Sequence, residues 1–230
     1  MEFKNTDVWG FEHSFRGMRN PKNSWDRSDS GKLYWNGTWY HEELKNYFSE
    51  YGVNFYIGEN DMKLAQTLIK AGSEHAKFMR MIHVSVDIDM PRYWWSEMDT
   101  YHFNTKNSCS TMHTLLNNNE PVTLDMFSIC EKDYEWWVNT VSKLEHLRQE
   151  YKEIQKSTKD FSEMNHLLVR AKKILPEGFL QLRTFDTNYA ELRNIYFQRR
   201  NHRLKEEWID TFCKWVESLP YANELICYEG

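Results

Sequence analysis

Several features are missing from this sequence of 230 residues, and each absence closes off a class of function. The four cysteines, Cys109, Cys130, Cys213 and Cys227, are far apart and share no metal-type spacing. They read as reduced thiols, and no metal site is expected. The opening residues, MEFKNTDVWG, lack an apolar signal core, and no run is long enough to span a bilayer. The expectation is a cytoplasmic protein with no membrane partner. Without a secretion signal, the glycosylation pattern Asn36-Gly37-Thr38 carries no meaning. The net charge is −5, so no global basic field points to a nucleic-acid polymer. No repeat and no low-complexity tract interrupts the chain.

Aromatic side chains are abundant, with ten Trp and thirteen Tyr. They can build a core, or they can stack on flat rings such as bases and flavins. The length suits one large domain or two small ones.

The chain is organised around Thr187 to Trp208, TNYAELRNIYFQRRNHRLKEEW. A helix throughout would put Asn188, Leu192, Ile195 and Arg199 on one stripe. Asn188 and Arg199 would then lie roughly 16 Å apart, at about 1.5 Å per residue. That is the length of a nucleotide-sized ligand. An ordinary amphipathic helix with solvated arginines fits the same pattern.

Residues 1–31 are polar and read as an irregular N-terminal segment. Asn36-Gly37 between aromatic runs predicts a hairpin over 32–40. A helix over 41–51 should stop at Gly52. A second, 62–71, would be capped by Asn60-Asp61. Met81 to Asp89, MIHVSVDID, alternates strictly and predicts a half-buried strand. Pro91 opens a predicted helix reaching Phe103. Residues 104–113, NTKNSCSTMH, form either a plain loop or a set of donors for phosphate oxygens. Asn117 to Pro121 is a break. A long helix over 133–156 carries Glu145, Arg148, Glu150, Lys152, Glu153 and Lys156 on what reads as a solvated outer face. Another helix, 160–174, precedes a strand at 179–185. Residues 206–219 either continue the helix from 187 or form a new one.

Two regions together resemble the flavin-dependent thymidylate synthases. In that family a phosphate-binding Arg stands four residues before the proline of a Leu-Pro. A strand follows, then a helix of the form N-x-R-x-L-x-N-x-x-x-x-R. Here the register runs without a gap from Lys172 through Leu175-Pro176 to Asn188, Leu192, Asn194 and Arg199. The central match needs a gap. Where the family has an Arg-His-Arg signature, this chain reads Ser96-Glu97-Met98-Asp99-Thr100-Tyr101-His102. Where the family has N-E-x-S-x-R-Y, it reads Asn107-Ser108-Cys109-Ser110-Thr111-Met112-His113. Asn107 and Ser110 fit, whereas Ser108, Met112 and His113 replace Glu, Arg and Tyr. The resemblance covers about residues 60–220 of a single domain, 1–230.

The resemblance implies an α/β (α+β) fold, an antiparallel or mixed sheet packed with long helices, and a homotetramer. It implies FAD as cofactor, dUMP as substrate, and methylene-tetrahydrofolate and NADPH as co-substrates. Arg199 would be the catalytic residue, contacting the pyrimidine and stabilising charge on its ring carbonyl. Lys172, Ser108 and Ser110 would hold the nucleotide phosphate, the lysine as a point charge without a bidentate fork. Asn188 and Asn194 would contact the flavin cofactor. His75 and Arg80, with Lys77 and Arg92 nearby, would replace the missing signature. Each lost charge-assisted contact is worth about 1.5–3 kcal/mol of binding. The departures leave two alternatives open: a related C5 modification such as hydroxymethylation, or an inactive nucleotide- or flavin-binding homologue. Asp99-Thr100-Tyr101 and Ser108 to His113 would be the polar set of such a changed pocket. A structural α/β protein whose aromatics only pack is a third reading. The choice of dUMP over dCMP is not written in the sequence.

Overall fold

The computed structural model describes residues 1–33, 45–46, 50–158 and 160–230. The turn expected at Asn36-Gly37 and most of the helix expected over 41–51 lie outside the described residues. The architecture is mixed α/β, with a four-stranded sheet, a two-stranded sheet and helices between them in sequence.

The N-terminal segment is not irregular. Residues Glu2–Trp9 form β1 and Phe11–Arg19 form α1. Phe11, Phe15 and Met18 fall on one helix face and are buried, and the polar residues between them hide the pattern. Gly10 joins the two elements at φ 98°, and a Cβ there would run into the Met81 carbonyl oxygen.

β2 (Gly31–Lys32) and β3 (Phe55–Tyr56) pair antiparallel, with Gly31 opposite Tyr56. α2 (Glu59–Lys70) begins earlier than its expected Asn60-Asp61 cap. Asp61 lies inside the first turn and is buried, and the capping carboxylate comes from Asp29 instead.

β4 (His83–Pro91) matches the alternation, with Val84, Val86, Ile88 and Met90 all buried. α3 (Arg92–Met98) stops well short of Phe103. The 104–113 run is not a plain loop: it forms β5 (Thr105–Ser108) and a single helical turn, α4 (Thr111–Thr114). Two long helices follow, α5 (Tyr134–Ser157) and α6 (Phe161–Ile174). The Asp160 side chain caps α6 by accepting the N–H groups of Ser162 and Glu163. β6 (Leu180–Asn188) leads directly into α7 (Tyr189–Arg199). A π-helix, Lys205–Cys213, and α8 (Lys214–Ser218) come next, so the C-terminal pattern is a second helical segment. The larger sheet has the order β1-β4-β6-β5. Among the described residues no helix is long and apolar enough to cross a membrane.

The chain divides into two compact units. The long-helix unit is built mainly from residues 88–100 and 107–183, and the terminal unit from 2–87, 101–106 and 184–230. The core of the long-helix unit gathers Leu115, Leu116, Phe127, Trp137, Leu144 and Leu167. The core of the terminal unit is aromatic. Phe11 meets the Tyr189 ring edge-on at 5.7 Å and the Tyr221 ring at 5.6 Å, and Phe15 meets Phe78 at 5.8 Å.

The charged face of α5 is not simply solvated. Glu145 accepts from Arg148 Nε at 2.7 Å and from the Val122 backbone N–H at 2.8 Å. Arg148 also reaches the Asn118 carbonyl at 3.1 Å, and Lys152 reaches the Asn117 carbonyl at 2.6 Å. These bonds tie the break at 117–121 down onto the helix. The Arg148 and Glu145 side chains are only 12% and 18% exposed. The Arg148 bond, helped by the Val122 N–H, holds the Glu145 carboxyl down from 4.5 to about 2. A depressed carboxylate pKa adds stability that is complete above the unfolded value and is lost as pH falls toward the folded one. Glu145→Gln is therefore expected to destabilise the chain at pH 7 by on the order of 2 kcal/mol. The gap from the native protein should close as pH drops from 4.5 toward 2. Denaturant melts of both proteins across that range check it, and a gap independent of pH would contradict it.

Candidate functional site

Asn188 sits before α7 rather than on it. Its Oδ1 accepts the Glu191 backbone N–H at 3.0 Å, closing one of the unsatisfied donors of the first turn. Leu192 and Ile195 are buried as their spacing predicts. The helix does not continue to Trp208. It ends at Arg199, and the chain turns through 200–204 before the π-helix begins. The expected stripe is therefore confined to one shorter helix, with Asn188 as its cap.

That turn has a consequence for Arg199. Trp208, fully buried, lies with its ring 4.6 Å from the half-buried Arg199 guanidinium. The Tyr101 ring lies on the guanidinium at 5.4 Å. Arg199 Nε donates to the Tyr101 hydroxyl at 2.7 Å, and that hydroxyl donates to Gln198 Oε1 at 3.2 Å. Two aromatic faces and a phenol oxygen thus fix the plane of the guanidinium. Asn194 lies elsewhere on α7, exposed, its Oδ1 accepting from Gln198 Nε2 at 2.7 Å. One turn before Asn194, Glu191 is buried. Burial pushes its carboxyl above the usual range, against the Asn194 bond, the His102 charge and the Phe103 N–H.

Lys172 belongs to the long-helix unit, in the last turn of α6. It is half-buried, and its ammonium donates to the hydroxyl of Thr111, a buried residue at the start of α4. Burial, with Arg92 nearby, lowers its affinity for a proton, while Glu177 works the other way. Arg92 itself pairs with Glu177 at 3.0 Å. Ser108 and Ser110 are exposed just before α4, and Ser110 makes no capping bond with its side chain. Thr111 also lines a pocket of about 520 Å³ together with Cys109, His113 and Gln181.

The terminal unit holds a cleft of about 1720 Å³. His75 lines it, as do His13, Arg16, Lys22, Arg27 and Lys77. Arg80 is exposed and is not among the lining residues. Among the described residues no three His, Cys, Asp or Glu side chains gather as metal ligands.

Sequence reasoning missed the basic wall of this cleft, because residues 1–31 read as irregular. The available signal was the run of His13, Arg16, Arg19, Lys22 and Arg27 beside a buried apolar face. It also missed Trp208 as a partner of Arg199, since only the turn at 200–204 returns that ring to the helix end.

No family profile matches this sequence, and no curated protein matches it. Solved structures do match it in fold over nearly its whole length. One is a flavin-dependent thymidylate synthase from Helicobacter pylori complexed with FAD and dUMP. It has a TM-score of 0.66 and 18% identity, with 98% of each chain covered. A second structure of the enzyme from that organism, also with FAD and dUMP, gives a TM-score of 0.67 at 18% identity, covering 98% of this chain and 97% of that one. A UMP/dUMP methylase from Streptomyces cacaoi, bound with 5-Br dUMP, gives 0.57 at 12% identity, covering 98% and 93%. The chain has a flavin-dependent thymidylate synthase-like fold.

Proposed function

We propose that the chain is a flavin-dependent enzyme that transfers a one-carbon unit from methylene-tetrahydrofolate to C5 of dUMP. In this reading it works in the cytoplasm as a homotetramer, each copy a single domain over residues 1–230. The observation that carries the reading is Arg199, a half-buried guanidinium immobilised by Tyr101 and Trp208. It stands at the end of a helix in a fold shared with enzymes solved with FAD and dUMP.

The residues present suit FAD. The cleft lined by His75 exceeds the roughly 300–1,000 Å³ of most ligand sites, at about 1720 Å³, and most of its charged side chains are basic. Arg80, exposed nearby in sequence, would add charge at its margin. Reduced FAD, regenerated by NADPH, would supply the hydride. Asn188 uses its Oδ1 as the helix cap, which leaves its NH₂ group to donate to the cofactor. Asn194 is bonded through Oδ1 to Gln198 and also to the Glu191 carboxyl, so it would reach the flavin only by exchanging the Glu191 bond.

Arg199 would donate to the pyrimidine carbonyl and stabilise the negative charge that develops there. Its aromatic partners fix it beforehand, so little reorganisation accompanies the reaction. Lys172 would hold the phosphate, and Ser108 and Ser110 would add neutral donors. A second anchored reading is a nucleotide- or flavin-binding homologue without synthesis. It is favoured by Met98, fully buried in the stretch where the family's charged signature would stand.

Purified protein supplied with FAD is expected to turn yellow and keep the flavin through gel filtration. A colourless protein that releases all added FAD would sink the enzyme reading. A second measurement separates the two cations. Lys172→Ala should weaken dUMP binding by about tenfold to a hundredfold, as loss of a charge-assisted contact worth about 1.5–3 kcal/mol requires. It should leave the affinity for deoxyuridine, which lacks the phosphate, unchanged. Arg199→Ala should weaken both ligands. Isothermal titration with the two ligands reads this directly, and equal loss of both on removing Lys172 would take it off the phosphate.

A further inference from the structure

The segment from Arg19 to Ser30 is fastened at both ends more firmly than a connecting loop requires. At one end Arg19 and Asp61 form an ion pair at 2.5 Å, with side chains 5% and 0% exposed. Arg19 also reaches back to the Ser24 carbonyl at 3.3 Å. At the other end the Ser28 hydroxyl donates to Asp61 at 2.6 Å. The Asp29 carboxylate accepts the Asn60 and Asp61 backbone N–H groups, and the Ser30 hydroxyl accepts that of Gly58 at 2.9 Å. Only glycine fits at 58, because a Cβ there would run into Asp29. The same carboxylate of Asp61 therefore holds the strap from both sides. Burial works against its charge, but the Ser28, Ser30 and Arg19 contacts prevail and keep it ionised below the usual range.

What this strap presents is an oriented, exposed indole. Trp25 opens a short helical turn, Trp25–Arg27, on the wall of the 1720 Å³ cleft. The residue is 49% exposed, yet its indole N–H donates to Asn20 Oδ1 at 2.9 Å, which sets the ring plane. A packing tryptophan is buried and a loose surface one is unconstrained; this one is held still and left uncovered. Lys22 and Arg27 flank it in the strap, and Arg16 and His75 line the same cleft. Among the described residues no ion pair engages Arg16, Lys22 or Arg27. A flat ring for stacking between Lys22 and Arg27, neither of them in an ion pair among the described residues, suits a ligand with an aromatic base and a pyrophosphate.

We propose that Trp25 is a stacking platform for a ring of an anionic dinucleotide, with Arg27 holding its pyrophosphate and the Arg19–Asp61 pair positioning the strap. This rests on the flavin reading for the identity of the ligand, FAD, but not for the geometry.

The test is equilibrium binding of FAD, and separately of ADP, to the full chain and to Trp25→Ala, Trp25→Phe and Arg27→Ala. Because Trp25 is half exposed, thermal melts of the variants should match the native protein. Trp25→Ala is expected to raise the FAD dissociation constant at least tenfold, and Trp25→Phe by less than threefold, since a smaller ring still stacks. Arg27→Ala should weaken FAD by a factor that shrinks as salt is added. Native protein that binds FAD with no change in Trp25→Ala overturns this proposal and leaves the flavin reading standing. Native protein that ignores FAD but binds ADP in a Trp25-dependent way sustains the platform and removes the flavin. Failure to bind either ligand overturns both.

Discussion

A guanidinium that is half removed from water has to be given back what it loses, and two rings and a phenol oxygen return part of it to Arg199. This constraint shapes the C-terminal part of the chain. α7 must stop at Arg199 so that the turn at 200–204 can bring Trp208 back over the helix end. The five-residue hydrogen bonding of the π-helix starts at once after that turn. Arg193, on another side of α7, is spent differently: it donates to the carbonyls of Ile226 and Tyr228 and pins the C-terminal backbone. Of the arginines that could have been plain solvated charges, one is structural and one is aimed by aromatic packing.

The same economy of charge recurs in each unit. In the long-helix unit Glu145 and Arg148 convert an α-helical surface into a clasp for the 117–121 break. In the terminal unit Asp61 and Arg19 do so for the strap at 19–30. Buried ion pairs are weak sources of net stability, because desolvation offsets their attraction. Their value lies in geometry: each fixes the path of a segment that has few apolar side chains to fix it otherwise. Positions set in this way can leave an indole or a hydroxyl open toward solvent without loosening it.

Periodic elements were legible in the sequence. The alternation at 81–89 gave β4, and the spacing of Leu192 and Ile195 gave the buried face of α7. Elements whose signal depends on distant partners were not. α1 was concealed because three apolar residues among polar ones look like a loop until a core exists to receive them. The α2 cap was assigned to Asn60-Asp61, since nothing local reveals that Asp29 arrives from another part of the chain. Asn188 and Arg199 stood out on the helix stripe, and Lys172 and Asn194 were found through family resemblance. What each one touches could only come from the fold: Thr111 for the lysine, the helix start for Asn188, Tyr101 and Trp208 for Arg199.

In the proposed function, chemistry at C5 of a pyrimidine nucleotide runs through Arg199. The measurement that reaches it most directly is tritium release from C5-labelled dUMP in the presence of FAD, NADPH and methylene-tetrahydrofolate, comparing the native chain with Arg199→Ala. Release by the native chain and its near-complete loss in the variant are the expected results. Equal release by both, or none from native protein that has FAD bound, would contradict that function.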